Sequence, residues 1–237
     1  MNSRKHRTGI SEFDNLMGSG IPSGNYLILG SPKVGKKVFV DQVAYLSAST
    51  NKAVVYITLD SSPDSIKMRM MDYGWNVENL EKRNIFQFVD GFTLWYTHPP
   101  VSSNEFAVES LTNVSKLLSV IVTALDKIGT GGIIIFSSLS TLMEHAGFQR
   151  SYSLMTGLKA IIEERNSLGF TVLTSGMHSE GEINAFKHIV DGIIEMQYEL
   201  TSGEMKRKVR AIGIGAKLDY LDWKEFKITT SGIKLNI

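Results

Sequence analysis

The chain has 237 residues, 43% hydrophobic and 21% charged, which suits one large α/β domain that buries its own core without a metal or disulfide staple. It contains no cysteine, which excludes disulfides and thiolate metal sites, and a formal net charge of +1 provides no global field for nucleic acid or an anionic membrane. No apolar run approaches a membrane span and MNSRKHRTGI lacks a signal-peptide core, so the expectation is a cytoplasmic protein with no membrane partner.

The opening segment is polar and glycine-rich with weak periodicity, and its basic Arg4, Lys5, His6 and Arg7 read as a solvated tail. NYLILG (25–30) reads as a buried strand ending on a glycine, followed by a helix over 36–49. AVVYITLD (53–60) is a second strand rich in β-branched residues. Ser62-Pro63-Asp64 then starts a helix whose Met68, Met70 and Met71 read as core filling. NIFQFVD (84–90) is a third strand. The segment FTLWYTHPPVSS carries Trp95, Tyr96 and His98-Pro99-Pro100, either a partner-binding loop or lid, or aromatics tucked under the next helix.

That next helix is predicted over 105–128, because Ala107, Leu111, Val114, Leu118, Ile121, Leu125 and Ile128 recur at alternating spacings of four and three. GGIIIF (131–136) is a central strand, apolar on both faces. A helix over 152–167 and the strand FTVLTS (170–175) follow, with loops expected around 143–152 and 176–188. After residue 188, IVDGIIEMQYEL, KRKVRAIGIG, EFKITTSG and IKLNI are strand-like and lack intervening helices, which predicts an antiparallel extension of the same sheet. The fold class is therefore α/β, mainly a parallel central sheet with helices on both faces, in a single domain over 1–237.

Residues 30–37 read GSPKVGKK, between the first strand and the first helix. The pattern G-x-x-x-x-G-K followed by Ser or Thr marks a phosphate-binding P-loop, in which backbone N–H groups and a helix N-terminus cradle phosphate. Gly30, Ser31, Pro32, Lys33, Val34, Gly35, Lys36 and Lys37 are the candidate cofactor-binding residues. The last of them departs from the pattern. Lys37 stands where a hydroxyl would hold Mg²⁺, and a protonated lysine has no lone pair for a metal. Three readings compete: Lys37 supplies the metal's charge, it blocks the pocket, or it points to solvent along the helix.

The segment TGISEFDNLMGSGIPSGNYLILG (8–30), through Gly9, Phe13, Asp14, Gly18, Gly20, Ile21, Pro22 and Gly24, resembles the KaiC-like branch of the RecA-superfamily P-loop ATPases, the archaeal single-domain type. VVYITLDSSPDSI (54–66), GGIIIFSSLSTL (131–142), VDGIIEM (190–196) and ITTSGIKL (228–235) are similar to later landmarks of that family. The resemblance implies a RecA-like P-loop NTPase fold, ATP or ADP as ligand, and hexamers or another homo-oligomer.

It also shows which functional residues are replaced. Ser137 stands where the family has the metal-site aspartate. Asp60 and Ser61 stand where it has two catalytic acids, so Asp60 is the one surviving catalytic candidate. Gly213 and Gly215 stand where a basic pair reaches a neighbouring subunit, with Arg210 or Lys217 as conceivable substitutes. Metal and transition-state charge stabilisation supply most of phosphoryl-transfer catalysis. The resemblance thus implies no metal site, no Mg²⁺-dependent hydrolysis, and a degenerate ATPase (a pseudoenzyme) that acts as a regulatory or assembly partner of another protein.

Two alternatives remain at this level. One is a weak ATPase that uses Asp60. The other is a RecA-type recombinase paralogue that binds DNA as a repair accessory. Against DNA, Arg150, His178, Lys187 and His188 are mixed with Glu144, Glu180 and Glu182. His145, His178 and His188 lack metal-ligand spacing.

Overall fold

The computed structural model describes residues 5–96, 102, 104–201, 204–214 and 222–236. The elements in chain order are β1 (Lys5–His6), α1 (Ser11–Leu16), β2 (Ile21–Pro22), β3 (Gly24–Gly30), α2 (Lys36–Ser49), β4 (Val54–Thr58), α3 (Pro63–Met71), α4 (Glu78–Lys82), β5 (Phe86–Asp90), α5 (Thr93–Tyr96), α6 (Val114–Ile128), β6 (Ile133–Ser137), α7 (Leu139–Ala146), α8 (Phe148–Glu164), β7 (Leu168–Thr174), α9 (Glu180–Ile189), β8 (Gly192–Thr201), β9 (Glu204–Ile212), β10 (Lys224–Thr229) and β11 (Gly232–Leu235).

Nine strands form one sheet in the order β11-β10-β9-β8-β3-β7-β6-β4-β5. The pairs from β5 to β8 are parallel, and those from β8 to β11 antiparallel. The α/β reading holds, with one adjustment: the first of the late strands, β8, lies parallel to β3, so the antiparallel extension begins only at β9. Period-two alternation divides each central strand between two cores. Tyr26 and Ile28 of β3 pack with Phe13, Phe39, Tyr56, Phe170 and Met70 on one face. Leu27 and Leu29 pack with Ile121, Phe136, Leu158 and Phe186 on the other. Helices α1–α4 cover the first face and α6–α9 the second.

Four expectations are corrected. The helix predicted over 105–128 begins only at Val114, because Asn113 caps it by accepting from the Lys116 N–H. Residues before it are held otherwise, with Ala107 bridged to Asp90, and Phe106, Val108 and Leu111 fill the core as loop residues, which mimics a helical stripe. Replacing Asn113 with Ala should cost about 1 kcal/mol, read as a lowered denaturant midpoint. The loops expected at 143–152 and 176–188 are largely helical. Ser179 and Glu182 make a full capping box at the start of α9, a signal present in the sequence as S-x-x-E.

Of the basic N-terminal residues, Lys5 and His6 are no free tail. Lys5–His6 pairs with Ile21–Pro22, His6 is buried against Ser23 Oγ at 2.9 Å, and Lys5 Nζ donates to Gly18 O at 2.8 Å. Of the three methionines on α3, only Met70 is in the core, while Met68 and Met71 are exposed.

The aromatic segment is described only in part. Trp95 and Tyr96 rest on His145 of α7, and the Tyr96 hydroxyl hydrogen-bonds its Nε2. His98-Pro99-Pro100 lies outside the described residues, as do Gly215 and Lys217. No described helix is long and apolar enough to cross a membrane.

Candidate functional site

The carboxyl ends of parallel strands are where α/β sheets present ligand sites. Here β3, β4, β6 and β7 end around one cavity of about 390 Å³, lined by Pro32, Lys33, Gly35, Lys36, Lys37, Val38, Asp60, Arg69, Ser138, Val172, Thr174 and Ile228. Its lining carries four cationic side chains, Lys33, Lys36, Lys37 and Arg69, against one carboxylate, Asp60.

Residues 31–35 run from β3 into α2 as a tight loop. Gly30 is obligatory, since a Cβ there would sit 2.3 Å from Met196 O on the neighbouring strand β8. Gly35 is the N-cap of α2 at φ 120°, and a Cβ would press on Ile228 at 3.0 Å. No side chain caps α2 and no acidic residue occupies its first turn, so the helix N-terminus is left to an anion. Val34, fully buried, anchors the loop to the core.

Lys36 is 7% exposed, and its Nζ donates to Gly30 O at 2.6 Å and Ser31 O at 2.8 Å. Burial, then the neighbouring Lys37 charge, lowers its pKa from 10.5 to about 8, and Asp60 opposes that shift in part. An anion that replaced these carbonyls would take over the same donors with a full charge in place of two dipoles.

Lys37 does not run out along the helix to solvent. Its Nζ lies 3.0 Å from Asp60 Oδ2 and 3.4 Å from Ser61 Oγ. The turn after β4 that presents these two residues is fixed by Thr58 Oγ1 donating to Ser61 O at 2.6 Å. Lys37, at the position where the loop pattern has a hydroxyl, therefore pairs with Asp60. Ser137 is buried at the end of β6, and Ser138 N-caps α7. These residues fit Mg²⁺ poorly: the Lys37 ammonium is paired with the Asp60 carboxylate, and Ser137 and Ser138 at the end of β6 bring no negative charge. Arg210 is committed elsewhere, donating to Glu195 from Nε at 2.8 Å and stacking over Trp223 at 4.5 Å.

The sequence reading missed a second ion pair at this cavity. Arg69 of α3 donates from Nε to Asp41 Oδ2 at 2.7 Å and from Nη2 to Asp41 Oδ1 at 3.1 Å. The Tyr56 hydroxyl donates to the same Oδ1 at 2.7 Å. Asp41 is 1% exposed. Burial acts to lower the Arg69 pKa, but the adjacent Asp41 carboxylate more than offsets it and holds the pKa above the ordinary arginine value. Burial, reinforced by Asp41, keeps Tyr56 protonated well beyond its usual range. One signal was available in KKVFVDQVA, where an aspartate sits among apolar residues on the helix that follows a phosphate loop.

The strand order and the loop define the protein class: a RecA-like P-loop fold of the KaiC type. Comparison with known proteins identifies the family. The profile of the KaiC ATPases matches residues 6–236, and the chain belongs to that family. A UPF0273 protein of Methanocaldococcus jannaschii is 28% identical over 236 residues, covering 97% of this chain and 95% of the relative. A UPF0273 protein of Thermotoga maritima is 28% identical over 235 residues, with the same coverage. The crystal structure of the KaiC-like protein PH0186 from Pyrococcus horikoshii OT3 superposes with a TM-score of 0.78 at 21% identity, covering 99% of this chain and 100% of that one.

Proposed function

We propose that this KaiC-family protein, acting as a single domain over 1–237, binds ATP or ADP through Gly30–Lys37 without turning it over, and serves as a regulatory or assembly partner. The observation that carries this reading is the Lys37–Asp60 pair at 3.0 Å. In a hydrolytic P-loop enzyme the metal bridges phosphate oxygens and the acids orient water. Here the place of the metal ligand is taken by a fixed positive charge, and that charge is already paired with the remaining acid. Lys36, Lys37 and the open N-terminus of α2 would hold the phosphates. Lys37 supplies on the protein part of the charge that Mg²⁺ would otherwise bring. Homo-oligomerisation is part of the proposal. A DNA-binding role has less support, because the elements carrying Arg150 and Lys187 are regular helices of mixed charge.

Calorimetric titration of ATP in EDTA and in Mg²⁺, with a phosphate-release assay alongside, tests the reading. Binding should survive chelation, weaken in Lys37→Thr, and produce no phosphate above background. Steady Mg²⁺-dependent release that disappears in Lys36→Ala would refute the pseudoenzyme reading and favour a weak ATPase. Tighter metal-free binding by Lys37→Thr would refute the role given to Lys37.

A further inference from the structure

We propose that Arg69 is the residue by which this site recognises a third phosphate, so that the cavity selects a metal-free triphosphate over a diphosphate. The inference rests on the reading that the loop binds polyphosphate without metal. It goes further in naming the ligand class and the residue that selects it.

The argument starts from the guanidinium's donors. A bidentate pair with Asp41 uses the edge formed by Nε and Nη2. The other edge, Nη1 with the outer N–H of Nη2, has no protein partner among the described residues, and Arg69 lines the cavity. A planar fork of that kind is the geometry that takes a phosphate through two parallel hydrogen bonds. Asp41, fixed in turn by the buried Tyr56 hydroxyl at 2.7 Å, holds the fork in place. Asp41 and Tyr56 are positioning residues and reach no ligand themselves.

The elements that carry these charges indicate which phosphate Arg69 would meet. Lys36 sits at the root of the loop, on the carbonyls of Gly30 and Ser31. Lys37 comes next on α2, and Asp60 stands against it from the end of β4. Arg69 lies on α3, the element that follows Asp60 in the chain, and it feels the Asp60 charge. The distal end of a polyphosphate seated on Lys36 would therefore lie beside Asp60. A carboxylate repels phosphate, so a third phosphate is favourable only with cations flanking that acid. Lys37 and Arg69 are those cations. A diphosphate would end short of this region and gain nothing from Arg69.

Titration of ATP and ADP in EDTA, by calorimetry, provides the test. The unmodified protein should bind ATP about 10- to 100-fold more tightly than ADP, the range set by one charged hydrogen-bonded contact. Arg69→Lys keeps a charge that can pair with Asp41 and should stay folded, yet it lacks the fork. It should lose most of the preference while its ADP affinity is unchanged. Because removing Arg69 alone would strand a buried carboxylate, the second variant combines Tyr56→Phe, Asp41→Leu and Arg69→Met, which replaces the whole polar triad with apolar side chains. It should bind both nucleotides with equal affinity. Equal affinities in the unmodified protein, or a preference retained in Arg69→Lys, would overturn the assignment of Arg69 and leave metal-free binding intact. Failure of the unmodified protein to bind either nucleotide in EDTA would overturn both.

Discussion

Arg69→Ala should destabilise the protein by about 3–5 kcal/mol, as expected when one partner of a buried ion pair is removed. Asp41 is 1% exposed, and two of its three hydrogen bonds come from Arg69. Without the guanidinium the carboxylate must take up a proton or admit water between α2 and α3. For a chain of this length the loss should appear as a melting temperature lowered by roughly 10 °C. The triple variant Tyr56→Phe, Asp41→Leu, Arg69→Met should instead fall close to the unmodified protein, because no buried charge is left without a partner. A loss below about 1 kcal/mol in Arg69→Ala, measured by urea denaturation, would show that the pair is solvated and contributes little.

Lys36→Met should weaken ATP binding by about 100-fold or more, since two charge-assisted contacts of about 1.5–3 kcal/mol each are lost. The unliganded fold should not suffer in proportion. Lys36 carries a charge that burial penalises, and its pKa falls from 10.5 to about 8 on folding. Below about pH 8 the lysine is protonated in both folded and unfolded chains, and the penalty is present in full. Between about 8 and 10.5 the unfolded chain binds more protons, so this group makes stability rise with pH across that window. Lys36→Met should abolish that rise, which denaturation at pH 7.5 and pH 9.5 would read. Phosphate binding restores the charge on Lys36, so ATP affinity should fall above about pH 8. In calorimetry near pH 9 binding should take up a proton, seen as an enthalpy that changes with the buffer. Absence of any proton uptake would mean that Lys36 stays charged in the free site.

Much of the fold could be read from the chain because its signals are local. The apolar runs NYLILG, AVVYITLD and GGIIIF are short, β-branched and flanked by glycine or polar residues, and each became a central parallel strand. The failures are places where a distant contact overrode a local period. Leu111 has the spacing of a helical stripe yet packs from a loop, since Ala107 is tied to Asp90 and Asn113 sets the true helix start. His6 looks like part of a solvated tail but is buried under Ser23, seventeen positions away. The start of α9 is a different case, since its capping box is local and stands in the sequence as S-x-x-E.

The site divides along the same line. The loop GSPKVGKK, its place between a strand and a helix, and the serine at 137 are matters of residue identity and order, and the sequence by itself determines them. Residue identity also determines that position 37 offers an ammonium where the pattern asks for a hydroxyl. It leaves open where that ammonium goes. Only the tertiary structure shows where it goes, by bringing the end of β4 to the start of α2 and setting Asp60 3.0 Å from Lys37. Only the tertiary structure joined Asp41 to Arg69, twenty-eight residues apart. A buried charge carries no information in the sequence about the identity of its partner. The partner is chosen by which helices the sheet order places side by side, and by the cost of leaving an ion alone in the core.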